Sequence, residues 1–182
     1  GFVPEAKGFF ELLEKLQKPD GSFAINYNPD AQSAFFDFGG DQNENDQPGM
    51  LPWGVSRVLD ATGDTTWAAA RWPAVERAAN FLMSVSESGL IGKSRDLWEL
   101  ETGESWTYSN GSAIAGLEAT AHIAQKLGRD GSRFAARATA IRAAMDRQLV
   151  TQDGWFGRGS KNGRLDARLE IANLALASGG FD

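Results

Sequence analysis

The strongest constraint on this chain is a helical rhythm of apolar residues. It recurs in segment after segment, separated by polar stretches too long to be simple turns. Ala113, Ile114, Leu117, Ala121, Ala124 and Leu127 fall at intervals that line one helical face, and Gly128 closes the run. Phe134, Ala138, Ile141, Met145 and Leu149 repeat the pattern, with Ser132 ahead as a cap. Upstream, Pro4 and Glu5 suit a first helical turn, and Phe9, Leu12, Leu13 and Leu16 mark an apolar face that ends before Pro19-Asp20-Gly21. Asp46 reads as the N-cap of a second helix, with Pro48 in its first turn and Gly63 as its stop. A third helical region begins near Thr66. Pro73 predicts a break in it, leaving a main helix from Pro73 to about Ser84 that buries Val75, Ala78, Ala79, Phe81 and Leu82. Ser109 or Asn110 is placed to cap the fourth helix, and a sixth runs from Leu165 to about Ala177.

These elements predict an all-α fold of about six helices, with 1–182 forming a single domain. The segments 18–45, 86–108 and 151–164 are long and irregular, and loops of that length are often functional. Helical hairpins with long loops on one face follow. The turns at 17–23 and 152–156 each come after a helix and hint at a repeated helix-plus-turn unit.

Composition excludes several classes of function. A net charge of -6 with scattered Lys and Arg lacks the basic stripe of a nucleic-acid binder. No apolar run approaches the roughly 20 residues of a membrane span. Without cysteine there is no disulfide and no thiolate metal site. The N-terminal Gly1-Phe2-Val3-Pro4-Glu5 is neither a signal peptide nor a typical initiator sequence, which suggests processing or a longer parent chain.

The stretch from Ser94 to Asn110 concentrates the chemistry. It holds Arg95, the acids Asp96, Glu99, Glu101 and Glu104, and the aromatics Trp98, Trp106 and Tyr108, with no regular period. Glycosidic cleavage needs a proton donor beside the leaving oxygen and a second carboxylate across the sugar. A carboxyl set against indole can be kept protonated by desolvation, and Glu99 follows Trp98 directly. The competing reading is that all four acids are solvated loop residues. Elsewhere, Asp37, Asp41, Glu44 and Asp46 are spaced so that they can gather around calcium, and otherwise form a solvated acidic loop. His122, the only histidine, lies mid-helix with no Ser or Cys partner motif.

Asp96-Leu97-Trp98-Glu99, followed by Trp106-Thr107-Tyr108-Ser109-Asn110 opening an Ala-rich helix, resembles glycoside hydrolase family 15. That family comprises the glucoamylases and glucodextranases, inverting enzymes on an (α/α)6 toroid of twelve helices. The resemblance implies part of such a toroid, an α-glucan or α-glucoside substrate and no required cofactor, and it leans toward an extracellular setting. It makes Glu99 the general acid and places Leu97 and Trp98 in the sugar subsites, with Arg95, Asp96, Glu101 and Trp106 around them. Gln42 to Met50 is similar to the family stretch entering an inner helix, which gives Asp46 a part in the sugar site. Gly154-Trp155-Phe156-Gly157-Arg158-Gly159 is similar to a family connector; Asp166 beyond it reads chiefly as a helix cap.

The chain departs from the family in three ways. Leu100 stands where a second acid often follows the catalytic one, with Glu101 one step on. The family's early Trp-Arg-Asp segment is absent, and so is the late segment that carries the base. Neither Glu118 nor Glu170, both expected mid-helix, replaces that base. The other readings are a non-catalytic carbohydrate-binding or structural helical module, completed by the rest of a toroid, and a terpene-cyclase-like toroid. The latter rests on the turn from Gln17 to Phe23 and lacks an Asp-rich acid motif.

Overall fold

A computed structural model describes residues 1–28, 30, 34–36, 43–95, 97–99, 101, 104–170 and 173. Helix α1 spans Val3–Leu16, α2 Gln47–Thr62, α3 Thr65–Ser84, α4 Thr107–Lys126 and α5 Ser132–Gln148. Among the described residues, seven short strands lie between or after them: β1 Asn26–Tyr27, β2 Ala34–Phe36, β3 Ser86–Glu87, β4 Leu90–Ile91, β5 Ser105–Trp106, β6 Gly159–Lys161 and β7 Arg164–Asp166. The fold is therefore mostly helical rather than all-α. Its antiparallel sheets are β1–β2, β3–β4 and β5–β6–β7. Strands of two or three residues in polar segments are too short for an alternating pattern to register.

Helix α4 is central. It packs against α2, α3 and α5, and it is buried on nearly every side. The faces expected of α3 and α5 are the ones buried: Val75, Ala78, Ala79, Phe81 and Leu82 on the first, Phe134, Ala138, Ile141 and Met145 on the second. Helix α3 runs through Pro73 without the expected break. A mid-helix proline costs about 3 kcal/mol, and the burial of Trp72, Ala74 and Val75 around it offsets that loss. In α1 the expected face is turned. Ala6, Phe10 and Leu13 pack against the core, whereas Phe9 and Leu12 are exposed.

The capping positions also differ from expectation. Trp106 occupies the N-cap of α4, so Ser109 and Asn110 lie inside the helix. Gly131 precedes α5, and the N–H of Ser132 donates to Asp130 Oδ1. Asp46 does sit at the N-cap of α2, but its side chain makes no capping bond. Leu165 lies in β7 and residues 167–170 are not helical, so the sixth helix does not start at Leu165. Asn173 is helical; the rest of that expected element lies outside the described residues. Asp166 pairs with Arg168 and caps no helix.

Short connections join α2 to α3 and α4 to α5, while long ones follow α1, α3 and α5. The N-terminal ends of α2 and α4 meet. A Cβ on Gly49 would lie 2.3 Å from the carbonyl oxygen of Ser112, and one on Gly116 would lie 2.6 Å from the Cα of Gly49. Ser112 Oγ donates to the carbonyl of Asp46 at 2.7 Å. Two glycines thus let two backbones touch, and the loops that enter both helices converge. Among the described residues no helix is long and apolar enough to cross a membrane.

Candidate functional site

The segment entering α2 and the segment leading to α4 run side by side. The N–H of Arg95 donates to the carbonyl of Asn43 at 2.8 Å, and Asn45 Nδ2 donates to the carbonyl of Lys93 at 3.4 Å. The N–H of Ser94 donates to the carbonyl of Glu104, closing the base of the 94–104 loop. Asn110, fully buried in α4, locks that base. Its Oδ1 accepts from the N–H of Ile91 at 2.8 Å, and its Nδ2 donates to the carbonyl of Trp106 at 2.7 Å and to Ser105 Oγ at 3.1 Å. Trp106 is buried too, with Nε1 donating to the carbonyl of Ser94 at 3.0 Å. The structure therefore gives Trp106 to the support of the loop rather than to its open surface.

Glu99 stands exposed in the loop, with a left-handed backbone at φ +58°. Its carbonyl accepts from Arg95 Nη1 at 2.8 Å, which ties the turn to the strip beside Asn43. Trp98 is 48% exposed, and its Nε1 donates to Glu170 Oε1 at 2.8 Å. Leu97 is half-buried. Asp96 lies outside the described residues. Glu101 is engaged in ion pairs with Arg158 at 2.6 Å, Lys161 at 2.8 Å and Arg168 at 3.4 Å. Hydrogen bonds from Lys161 and Arg158 hold its pKa down to about 2.

The carboxyls with raised pKa values sit at the start of α2. Glu44 is buried, and its Oε2 accepts from Gln47 Nε2 at 2.6 Å. Burial pushes its pKa up to about 8; the charges of Asp46 and, more weakly, Glu99 add to this, while Gln47 and Arg95 oppose it. Burial also pushes Asp46 up to about 6, against a backbone hydrogen bond. Tyr108, at the start of α4, is pushed up to about 12 by burial and by the charges of Asp46 and Glu44. These electrostatic couplings put Glu44, Asp46, Glu99, Arg95 and Tyr108 in one neighbourhood.

Three buried polar atoms around this neighbourhood have no hydrogen-bond partner among the described residues: Asn43 Oδ1, Asp46 Oδ1 and Ser109 Oγ. Buried polar atoms are rarely left unsatisfied, so a cluster of them marks a place that ordered water can complete. In sequence, Asp46 stands out here, whereas Glu44 is only one of the acids spaced for calcium. Asp37 and Asp41 lie outside the described residues, and among the described residues no group of three metal-ligating side chains is assembled. His122 is at the surface, 2.8 Å from Asp60, and Glu118 pairs with Arg142 at 3.2 Å.

No family model matches the chain. A stretch of 110 residues, 60% of the chain, is 31% identical to an uncharacterized glycosyl hydrolase of Methanocaldococcus jannaschii. The match spans only 17% of that relative's length. The fold is similar to part of an α-L-rhamnosidase of Streptomyces avermitilis whose structure was solved with L-rhamnose. There the TM-score is 0.55 and the identity 20%, over 81% of this chain and 14% of that one. The chain thus has distant sequence kinship with a glycosyl hydrolase and shares a fold with part of a sugar-complexed glycosidase. Neither comparison reaches the glucoamylase family specifically.

Proposed function

We propose that this chain supplies the acid side of a glycoside hydrolase site, in which Glu99 protonates the leaving oxygen of an α-glucoside. The observation that carries the reading is the loop that presents Glu99 and the half-exposed indole of Trp98 beside the buried polar cluster at the meeting N-termini of α2 and α4. A pyranose has an apolar ring face, which suits stacking on indole, and a rim of hydroxyls.

In the proposed step the Glu99 proton passes to the glycosidic oxygen as the bond from that oxygen to the anomeric carbon breaks. Water attacks the anomeric carbon from the opposite face and yields its proton to a second carboxylate. Inversion sets the two carboxyls roughly 6.5–9.5 Å apart. Glu44 and Asp46 hold protons more tightly than ordinary carboxyls, which suits hydrogen bonding to sugar oxygens.

Glu99→Gln in the full-length protein is expected to lower hydrolysis of α-1,4- or α-1,6-glucosides by about 10²–10⁴-fold, the usual contribution of a general acid. Undiminished turnover would remove Glu99 from the role. A panel that includes α-L-rhamnosides separates the α-glucan assignment from other sugars. The second reading is a saccharide-binding module without turnover, and the solvent exposure of Glu99 favours it. Calorimetric binding of oligosaccharides with no hydrolysis would select it.

A further inference from the structure

Trp98 and Glu101 flank Glu99, and both are anchored on the same pair of side chains. Arg158 Nη1 lies 2.6 Å from Glu101 Oε1, and Arg158 Nε lies 2.9 Å from Glu170 Oε2. The other oxygen of Glu170 accepts the indole N–H of Trp98. Arg158 is buried, with its guanidinium 4.7 Å from the ring centre of Trp106. It precedes β6, and the β5–β6 pairing sets Trp106 opposite Gly159. The anchor therefore hangs on the sheet that starts α4. Lys161 and Arg168, two further cations on Glu101, are about half exposed, whereas Arg158 is buried.

We propose that Arg158 and Glu170 are positioning residues for Glu99. They hold the residues on both sides of it, Trp98 through its indole N–H and Glu101 through its carboxylate, to the hairpin that follows α5. A left-handed backbone at a residue other than glycine persists only where its surroundings over-determine it. Glu99 has three such restraints: Arg95 on its own carbonyl, Glu170 on Trp98 and Arg158 on Glu101. The tether also restrains the half-exposed indole of Trp98. A charged partner on each side of Arg158 gives the anchor more strength than neutral hydrogen bonds would.

The inference rests on Glu99 as the proton donor, so its test separates the two. The full-length protein is labelled at the indole nitrogens, and Trp98→Phe identifies the Trp98 resonance. In Glu170→Leu we expect that resonance to move and its proton to exchange faster with solvent. The kcat for glycoside hydrolysis should fall about tenfold to a hundredfold, the scale of a small misplacement of a catalytic group. Glu170→Gln keeps an oxygen for the indole N–H. It should leave the Trp98 resonance near its place and recover most of the lost kcat; it also serves where the leucine variant fails to fold. An unmoved Trp98 resonance in Glu170→Leu overturns the proposal, as does a moved resonance with undiminished kcat. Failure of the Glu99 reading shows separately, as wild-type activity in Glu99→Gln.

Discussion

Glu99 holds a backbone conformation that costs an L-residue roughly 1–2 kcal/mol. Its φ of +58° is one a glycine would adopt freely. Glu99→Gly is therefore expected to raise the stability of the fold by about 1 kcal/mol while removing the carboxyl. Denaturant unfolding of the two proteins measures this. A less stable Glu99→Gly would show that contacts of the side chain outweigh the strain. The sequence singled out this residue because acid, indole and irregular period coincide there. Glu44 was legible only as one acid among several near Asp46. Its raised pKa comes from burial, from Asp46 and from a loop that approaches through Arg95, and none of these contacts is local in sequence.

Among the elements, the crossing of α2 and α4 decides where the site forms. Gly49 leaves no room for a side chain, because the nearest atoms to its Cβ position belong to the backbone of Ser112 and to Ser112 Oγ. Gly49→Ala is expected to destabilise the chain by about 1–3 kcal/mol, the usual cost of overpacking. It should also disturb Asp46, whose carbonyl is held by Ser112. Thermal unfolding checks the first effect, and the Asp46 carboxyl resonance checks the second. Helix content and buried faces were readable from periodicity, since α3, α4 and α5 each bury a continuous apolar face. The departures have physical causes. Burial on both sides of Pro73 carries α3 through it. The indole of Trp106 is anchored on Ser94, so α4 begins ahead of the small polar residues that look like caps. The β6–β7 hairpin did carry a signal in Asn162-Gly163. Both residues have positive φ, as a two-residue hairpin turn requires, and the Asn-Gly pair marks such turns in sequence.

At the scale of the whole molecule, acids disfavoured by burial and acids held by hydrogen bonds act on stability in opposite directions. The pKa of Glu44 rises from 4.5 to about 8 and that of Asp46 from 3.8 to about 6. Between those limits the folded chain binds more protons than the unfolded one, so stability falls as pH rises. The contribution is complete below about pH 4 and is lost as pH climbs through about 6 and then about 8. Glu101 is shifted down to about 2, and Asp64, Asp130 and Asp166 are shifted down as well. Their stabilisation is present above their unfolded pKa values and fades as pH falls below them. The two trends place maximum stability in mildly acid solution, with a decline on either side. Glu44 has the larger shift, so it carries the greater part of the alkaline arm. Glu44→Gln keeps the shape of the side chain without its titration and should flatten that arm between about pH 6 and 8 while leaving the acid arm in place. Unfolding free energies across this range test the point. An alkaline arm of equal slope in Glu44→Gln would show that the proton is held elsewhere, with Asp46 the next group to replace.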